Sequence, residues 1–210
     1  MQATKSIIIS CAGIGSRLGL GTTKALIDIH GKPLIRWQLE MLENIEDVRI
    51  VVGFEARKVI QEVKKYRPDA IFVFNHEYFT TKTGYSYYLG ARDGNDFAIE
   101  YDGDLLVHPD DMKMLLQSNG EWLAYADKTS EDAVYVRTDK KGNVVAFSLR
   151  DGEFEWTGPC CMHKSRVKPL SDNVYNQLEA YLPMRGIKIR AYDIDTYADY
   201  ERVLDIVKQW

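Results

Sequence analysis

Ile7-Ile8-Ile9-Ser10-Cys11-Ala12-Gly13-Ile14-Gly15-Ser16-Arg17-Leu18-Gly19 is the stretch whose reading decides the fold. Three consecutive β-branched residues that end in a glycine-rich loop describe a strand buried on both faces, as in a parallel sheet. The loop then lies at the C-terminal end of that strand, where open α/β sheets bind phosphates. A secretory leader would need an apolar core of about 7–15 residues and a small-residue cleavage site. The run here is shorter and passes straight into Gly13, Gly15 and Arg17, so a first strand is expected instead.

Outward from this stretch, strands and helices alternate. Leu34 to Leu42 has helical spacing with Pro33 just before it. Val48–Gly53 and Ala70–Phe74 read as second and third strands, with a helix from Val59 to Tyr66 between them. A polar, aromatic loop (Asn75–Gly84) leads to a helix over Tyr85–Arg92, and Ala98–Tyr101 is a short strand halted by Asp102-Gly103-Asp104. Further on, a helix is expected at Pro109–Leu116 and strands at Trp122–Tyr125, Ala133–Thr138 and Val144–Leu149, the last two joined as a hairpin. A helix over Asn173–Leu182, a strand over Ile187–Asp193 and an amphipathic helix over Ala198–Lys208 complete the pattern. The expectation is one α/β domain over residues 1–210, a Rossmann-like α/β/α sandwich with a mixed, mainly parallel sheet.

Composition narrows the partners. The 210 residues carry a net charge of −4, so no basic field exists to hold a nucleic-acid backbone. Phosphate must be met by local cations, backbone amides or a metal. No apolar run approaches the ~20 residues of a membrane helix. Three cysteines with no CxxC pair argue against a disulfide set, and a reducing cytoplasm is the expected compartment. His30, His76 and His108 lack metal-ligand spacing.

The glycines after the first strand suggest a dinucleotide fingerprint, but Leu18 occupies the third-glycine position and Arg17 sits inside the loop. No acidic residue ends the second strand, as an NAD(P) site would require. A guanidinium suits bidentate contact with a triphosphate. Lys24 follows seven residues later, flanked by Gly21-Thr22-Thr23 and Ala25-Leu26.

The block Ala12-Gly13-x-Gly15-Ser16-Arg17, then Thr23-Lys24-Ala25-Leu26, then Gly31-Lys32-Pro33-Leu34-Ile35 resembles the signature of the sugar-phosphate and phosphocholine nucleotidyltransferase superfamily. That family usually has proline before the lysine. Thr23 stands there, a departure that bears on loop rigidity rather than on charge. The resemblance continues at Val51-Val52-Gly53-Phe54-Glu55-Ala56, at Asp102-Gly103-Asp104, and at Asp193-Ile194-Asp195-Thr196-x-x-Asp199-Tyr200. It implies an enzyme that transfers a nucleoside monophosphate from an NTP to a small phosphorylated acceptor and releases pyrophosphate. Ala12, Gly13, Gly15, Ser16, Arg17, Lys24, Gly53, Phe54 and Asp102 would bind the nucleotide, and Asp104 would hold Mg²⁺ with a second carboxylate from Asp193 or Asp195.

Elementary chemistry agrees. Magnesium takes oxygen ligands and is normally held by one or two carboxylates plus substrate phosphates. Asp193 and Asp195 are two residues apart, so in extended chain they share a face. Asp193 is favoured as ligand, with the other bracing a loop. Arg17 would take the β- and γ-phosphates and Lys24 the α-phosphate, while an ionised acceptor phosphate attacks in line without a general base.

Asn75 to Leu89 resembles the segment that follows the third strand in phosphocholine cytidylyltransferase-like members. By that resemblance Tyr85 and Ser86 help hold the base and CTP ranks ahead of UTP or GTP. For the acceptor, Glu155-Trp156-Thr157-Gly158-Pro159-Cys160 is the expected strand and turn over the pocket. Trp156 would cover an ammonium group by cation–π attraction with Glu155 adding charge, or would simply be core. Lys164, beside His163, is either an acceptor-phosphate contact or a solvated residue. The alternatives are a sugar-1-phosphate uridylyl- or guanylyltransferase, a molybdenum-cofactor guanylyltransferase, and a nucleotide-binding regulatory module without turnover.

Overall fold

The computed structural model describes residues 4–15, 22–129 and 133–210. Ser16 and Arg17 lie outside the described residues. The elements run β1 (Lys5–Cys11), β2 (Asp28–Ile29), β3 (Lys32–Pro33), α1 (Leu34–Glu40), β4 (Asp47–Val52), α2 (Ala56–Val63), β5 (Ile71–Phe74), α3 (Thr83–Ala91), β6 (Phe97–Asp102) and β7 (Leu105–Val107). They continue with α4 (Pro109–Gln117), β8 (Trp122–Asp127), β9 (Tyr135–Thr138), β10 (Asn143–Ser148), β11 (Phe154–His163), α5 (Val174–Glu179), β12 (Met184–Lys188), β13 (Ala191–Asp193) and α6 (Tyr197–Val207).

Nine strands form one mixed sheet in the order β5-β4-β1-β6-β11-β8-β12-β10-β9. Pairing is parallel through β5, β4, β1 and β6, and again between β12 and β8. Antiparallel pairing takes a larger share than the alternation of strands and helices implied, because β11 enters antiparallel beside both β6 and β8. The Val144–Thr138 hairpin appears as expected.

The period-2 alternation of β1 divides the interior. Ile7 and Ile9 pack with Ile35 and Leu39 of α1, Val59 and Val63 of α2, and Met112 and Leu115 of α4. Ile8 faces the other way, with Tyr87 and Ala91 of α3 and Val174 and Leu178 of α5. Each side of the sheet is therefore covered by helices. A third cluster joins Ile27, Ile29 and Leu34 to Leu106, Ile194, Val203 and Val207, which fastens α6 beside the C-terminal ends of the central strands.

Two stretches differ from the sequence reading. The Glu155–Cys160 stretch, expected as strand and turn, belongs to the ten-residue β11. Gly158 and Pro159 would ordinarily interrupt a central strand. They fall where the register jumps from Trp156 opposite Tyr125 to Cys160 opposite Leu123, so a bulge absorbs both. The expected strand Ile187–Asp193 is two strands, β12 in the large sheet and β13 paired with β7 in a separate ribbon. That ribbon brings Asp193 and its followers next to the Asp102–Asp104 turn, with the Ile194 amide donating to Asp104 O at 3.0 Å. Among the described residues no helix is long and apolar enough to cross a membrane.

Candidate active site

The C-terminal ends of β1, β4 and β6 open on one side of the sheet, and the order β4-β1-β6 makes β1 the point where the chain changes direction. Here Ser10, Cys11, Gly13, Gly15, Thr23, Lys24, Ala25, Gly103 and Asp104 line a cavity of about 200 Å³. A larger cleft of about 990 Å³ lies elsewhere, beside Lys5, Trp37 and Trp210, and holds none of the expected site residues.

Lys24 sits on a short 3-10 turn, Lys24–Leu26, and is 8% exposed. Its Nζ donates to Asp104 Oδ2 at 2.7 Å and to Asp195 Oδ1. Burial alone would lower the ammonium, but Asp104 and Asp195 outweigh it and hold the pKa above the ordinary lysine value. Gly15 passes directly over this side chain. It has φ +64°, and a Cβ there would lie 2.8 Å from Lys24 Cγ, so the loop requires glycine.

The surrounding carboxyls are crowded. Burial, then the charge of Asp104, raises Asp102 to about 7. Burial followed by Asp104, Asp102 and Asp195 raises Asp193 well above the usual carboxylate range. Glu100, fully buried two residues before Asp102 on β6, is raised in the same way by burial and then by Asp102. Gly158, with φ +103°, presses on this group: a Cβ there would fall 2.4 Å from Asp102 Oδ2. The bulge of β11 thus lays bare backbone against Asp102.

Several of the expected nucleotide residues that are described are linked by hydrogen bonds. Ala12 O accepts the Phe54 amide at 3.0 Å, which joins the first-strand loop to Gly53-Phe54. Ser86 is buried and accepts from Asn75 Nδ2 at 3.1 Å, while the Asn75 amide bonds Val52 O at 2.8 Å, so α3 is tied to the end of β4. Tyr85 is half-buried with its ring 6.1 Å from Tyr88.

The acceptor residues separate. Lys164 does not reach the site. It follows β11, donates to Gly94 O at 2.8 Å and pairs with Asp96 at the start of β6. Its partner Asp96 is six strand steps from Asp102 along β6, roughly 20 Å at about 3.3 Å per strand residue. Glu155 and Trp156 are consecutive in regular strand, so they face opposite sides and form no common wall. Glu155 is 6% exposed and takes the Thr129 amide and hydroxyl at 3.0 and 2.7 Å. Trp156 packs edge-on to Phe147 at 5.7 Å, and Phe147 meets Tyr175 at 5.6 Å.

Gln38 was not visible as a site residue, yet it holds the turn that carries the aspartates. It is fully buried, and its Nε2 donates to Asp102 O at 2.8 Å and to Leu105 O at 2.7 Å. Its sequence signal is a polar residue on the apolar stripe of α1, between Leu34, Ile35 and Leu42. The Thr196-x-x-Asp199 part of the closing motif is a capping box that starts α6. The thiols of Cys11, Cys160 and Cys161 are buried and pushed up by that burial, which makes them inert.

Comparison with known proteins adds three findings. A model of the MobA-like NTP transferase domain matches residues 7–181. The choline-phosphate cytidylyltransferase of Streptococcus pneumoniae is 26% identical, with 96% of this chain and 97% of that protein aligned. Among solved structures, the inositol-1-phosphate CTP transferase of T. maritima superposes with a TM-score of 0.80 at 18% identity, over 100% of this chain and 98% of that one. HddC of Yersinia pseudotuberculosis, complexed with GMP-PN, gives 0.72 at 18% identity over 96% and 99%.

Two measurements check this geometry. Gln38→Leu keeps the volume but leaves two buried carbonyls unpaired, and should lower unfolding free energy by about 2 kcal/mol or more in urea titration. For Asp102 the folded pKa exceeds the unfolded one, so the folded chain binds the extra proton between about pH 4 and 7. Stability of the ligand-free protein should therefore fall as pH rises from 5 to 7, and Asp102→Asn should flatten that slope. A melting temperature with the same pH dependence in both proteins would contradict the burial of Asp102.

Proposed function

This chain belongs to the MobA-like NTP transferase domain family and is a nucleotidyltransferase, and from that premise we propose that it transfers CMP from CTP to a small phosphorylated acceptor bearing an ammonium group, with release of pyrophosphate. The observation that carries the reading is Lys24, held by Asp104 and Asp195 at the floor of the cavity that the Gly13–Gly15 loop borders. The 26% identity to a choline-phosphate cytidylyltransferase along nearly the whole chain supports CTP and a choline-like acceptor.

The donor set suits magnesium. Asp104 and Asp195 already approach one cation together, and Asp102 and Asp193, whose protons burial and the neighbouring carboxylates hold, lie beside them. No group of three or more ligating side chains converges among the described residues; magnesium is normally held by one or two carboxylates, with water and phosphate oxygens completing its shell. Mg²⁺ would be held by Asp104 with Asp195, Asp193 lying beside them, and would supply charge neutralisation at the phosphates.

The side chains do the rest. Lys24 turns its ammonium from the carboxylates to the α-phosphate, where negative charge grows in the transition state. Arg17, outside the described residues, takes the β- and γ-phosphates. The acceptor's phosphate oxygen is ionised near neutral pH and attacks phosphorus in line, so positioning suffices. Gly53 and Phe54, with Tyr85 and Ser86 behind them, border the base. The Trp156, Phe147 and Tyr175 rings supply an aromatic surface for the ammonium. Glu155, on the opposite face of β11, takes no part in it. Buried reduced thiols suit the cytoplasm, where we place the enzyme.

Pyrophosphate release measured for four NTPs against phosphocholine, phosphoethanolamine, 2-aminoethylphosphonate and hexose 1-phosphates tests the reading. CTP with a cationic acceptor should be fastest, the rate should vanish in excess chelator, and Lys24→Ala should lose about 10²-fold or more. Faster turnover with GTP or UTP and a neutral sugar phosphate would replace this assignment.

Trp156→Leu should raise KM for the cationic acceptor several-fold and leave KM for CTP nearly unchanged, since cation–π contacts contribute about 0.5–2 kcal/mol. Equal losses for both substrates would make Trp156 a packing residue.

A further inference from the structure

The Lys24 turn is held from outside by a residue that the mechanism above does not use. Thr23, which precedes the lysine, is 2% exposed and extended, with φ −63° and ψ 141°. Its amide donates to Glu55 Oε2 at 3.2 Å, and the Thr22 hydroxyl reaches the same oxygen at 3.4 Å. The other oxygen of Glu55 takes Lys58 Nζ.

Glu55 itself is unusual. It is the N-cap of α2, a position where a side-chain oxygen ordinarily accepts from the helix's own first amides. Its side chain makes no such bond. Its backbone has φ +51°, a left-handed conformation that disfavours any residue with a Cβ. Helix formation therefore explains neither the conformation nor the direction of the carboxylate. What the carboxylate reaches instead is the turn that carries Lys24. On its other side Glu55 follows Gly53-Phe54 directly, and the Phe54 amide is bonded to Ala12 O. One side chain thus joins the base-bordering loop to the phosphate-contacting lysine.

We propose that Glu55 is a positioning residue for Lys24, a clamp that fixes the Thr23 backbone and makes the placement of the ammonium depend on the Gly53–Phe54 loop. This deepens the reading of the site as a nucleotidyltransferase centre and rests on it for its kinetic consequence. The backbone logic is general. A φ of −63° is the value a proline ring imposes, but proline has no N–H to give to Glu55. The hydrogen bond and the ring are alternative ways of holding one conformation. This chain, with threonine at the position, uses the carboxylate.

The test compares Glu55→Ala, Glu55→Gln and the double variant Thr23→Pro with Glu55→Ala. Amide hydrogen exchange over residues 23–27 is read on the ligand-free protein, and pyrophosphate release is read with CTP, Mg²⁺ and phosphocholine. Glu55→Ala should speed exchange in that segment and lower kcat by about tenfold, with KM for phosphocholine unchanged. Glu55→Gln keeps an acceptor oxygen and should stay close to the native protein in both readings. The added proline should recover most of the lost kcat and slow exchange at residues 24–27. If Glu55→Ala is too unstable to assay, Glu55→Gly removes the same carboxylate and suits the positive φ.

Native exchange and native kcat in Glu55→Ala overturn the clamp. So does a double variant whose exchange and kcat match those of Glu55→Ala, because backbone order at Thr23 would then not be what Glu55 supplies. Loss in Glu55→Gln as deep as in Glu55→Ala would assign the effect to charge and overturn it too. The exchange arm contains no substrate. If no NTP turns over with the native protein, the nucleotide reading fails while the clamp is still decided.

Discussion

The Lys24 ammonium between Asp104 and Asp195 is the interaction on which the arrangement of the site depends. A lysine this deeply covered needs partners, since a buried charge without them is costly. Its two carboxylates come from residues 80 and 171 positions away along the chain. The β7–β13 ribbon exists where it does to bring them together: it sets Asp193 opposite Leu105 and delivers Asp195 to the lysine. The Ile27–Ile29 segment after the lysine turn, the ribbon and α6 then share one apolar cluster, so charge pairing and packing point to the same docking.

The second constraint is steric. β11 lies between β6 and β8 and must pass Asp102 at the edge of the cavity. A regular strand would set a side chain against that carboxyl. The bulge removes one by placing Gly158 there, and Pro159 fits because the ladder is already interrupted. Gln38 answers the corresponding polar requirement from α1, bonding the carbonyls of Asp102 and Leu105 on either side of the turn. The aspartate turn is thus fixed by one amide below and one bare backbone segment above.

Most of the fold was legible because hydrophobic period and glycine placement agree over residues 5–120. The β1–loop–α1 unit, the parallel strands and the hairpin at residues 135–148 all carry local signals. Legibility fails where local and tertiary signals conflict. Gly158-Pro159 reads as a turn from sequence, and only the neighbouring strands β6 and β8 turn it into a bulge. The three-residue β7 and β13 are too short to show a period at all. In the site, the motif pointed to Lys24, Asp104 and the Asp193–Asp195 pair but favoured Asp193, whereas it is Asp195 that reaches Lys24, and the exclusion of Lys164 was not legible, because it depends on the antiparallel direction of β11. Glu155 and Trp156 looked like one wall because adjacency in sequence suggests adjacency in space. In a strand it means the reverse. Gln38 and Glu55 act through the backbone of other residues, and such roles leave little trace in composition beyond a polar residue on an apolar stripe.

A chain of net charge −4 whose site lysine is already held by Asp104 and Asp195, with Asp102 and Asp193 pushed toward their protonated forms beside them, is a poor host for a triphosphate on charge alone. The repulsion has a use in the proposed chemistry. In the ligand-free chain the lysine is neutralised by the carboxylates that a divalent cation would need. For the ammonium to serve a phosphate, those carboxylates must find another positive partner, and for the cation to bind them the ammonium must leave. Each event would remove an obstacle to the other, so in the proposed chemistry nucleotide and cation would be thermodynamically linked through Lys24, with the coupling equal in both directions. An arrangement with fewer carboxylates would bind free nucleotide better and would lose that linkage. In the proposed chemistry the acidic cluster would therefore favour a metal-loaded nucleotide over the bare one, a discrimination that net attraction to phosphate could not provide.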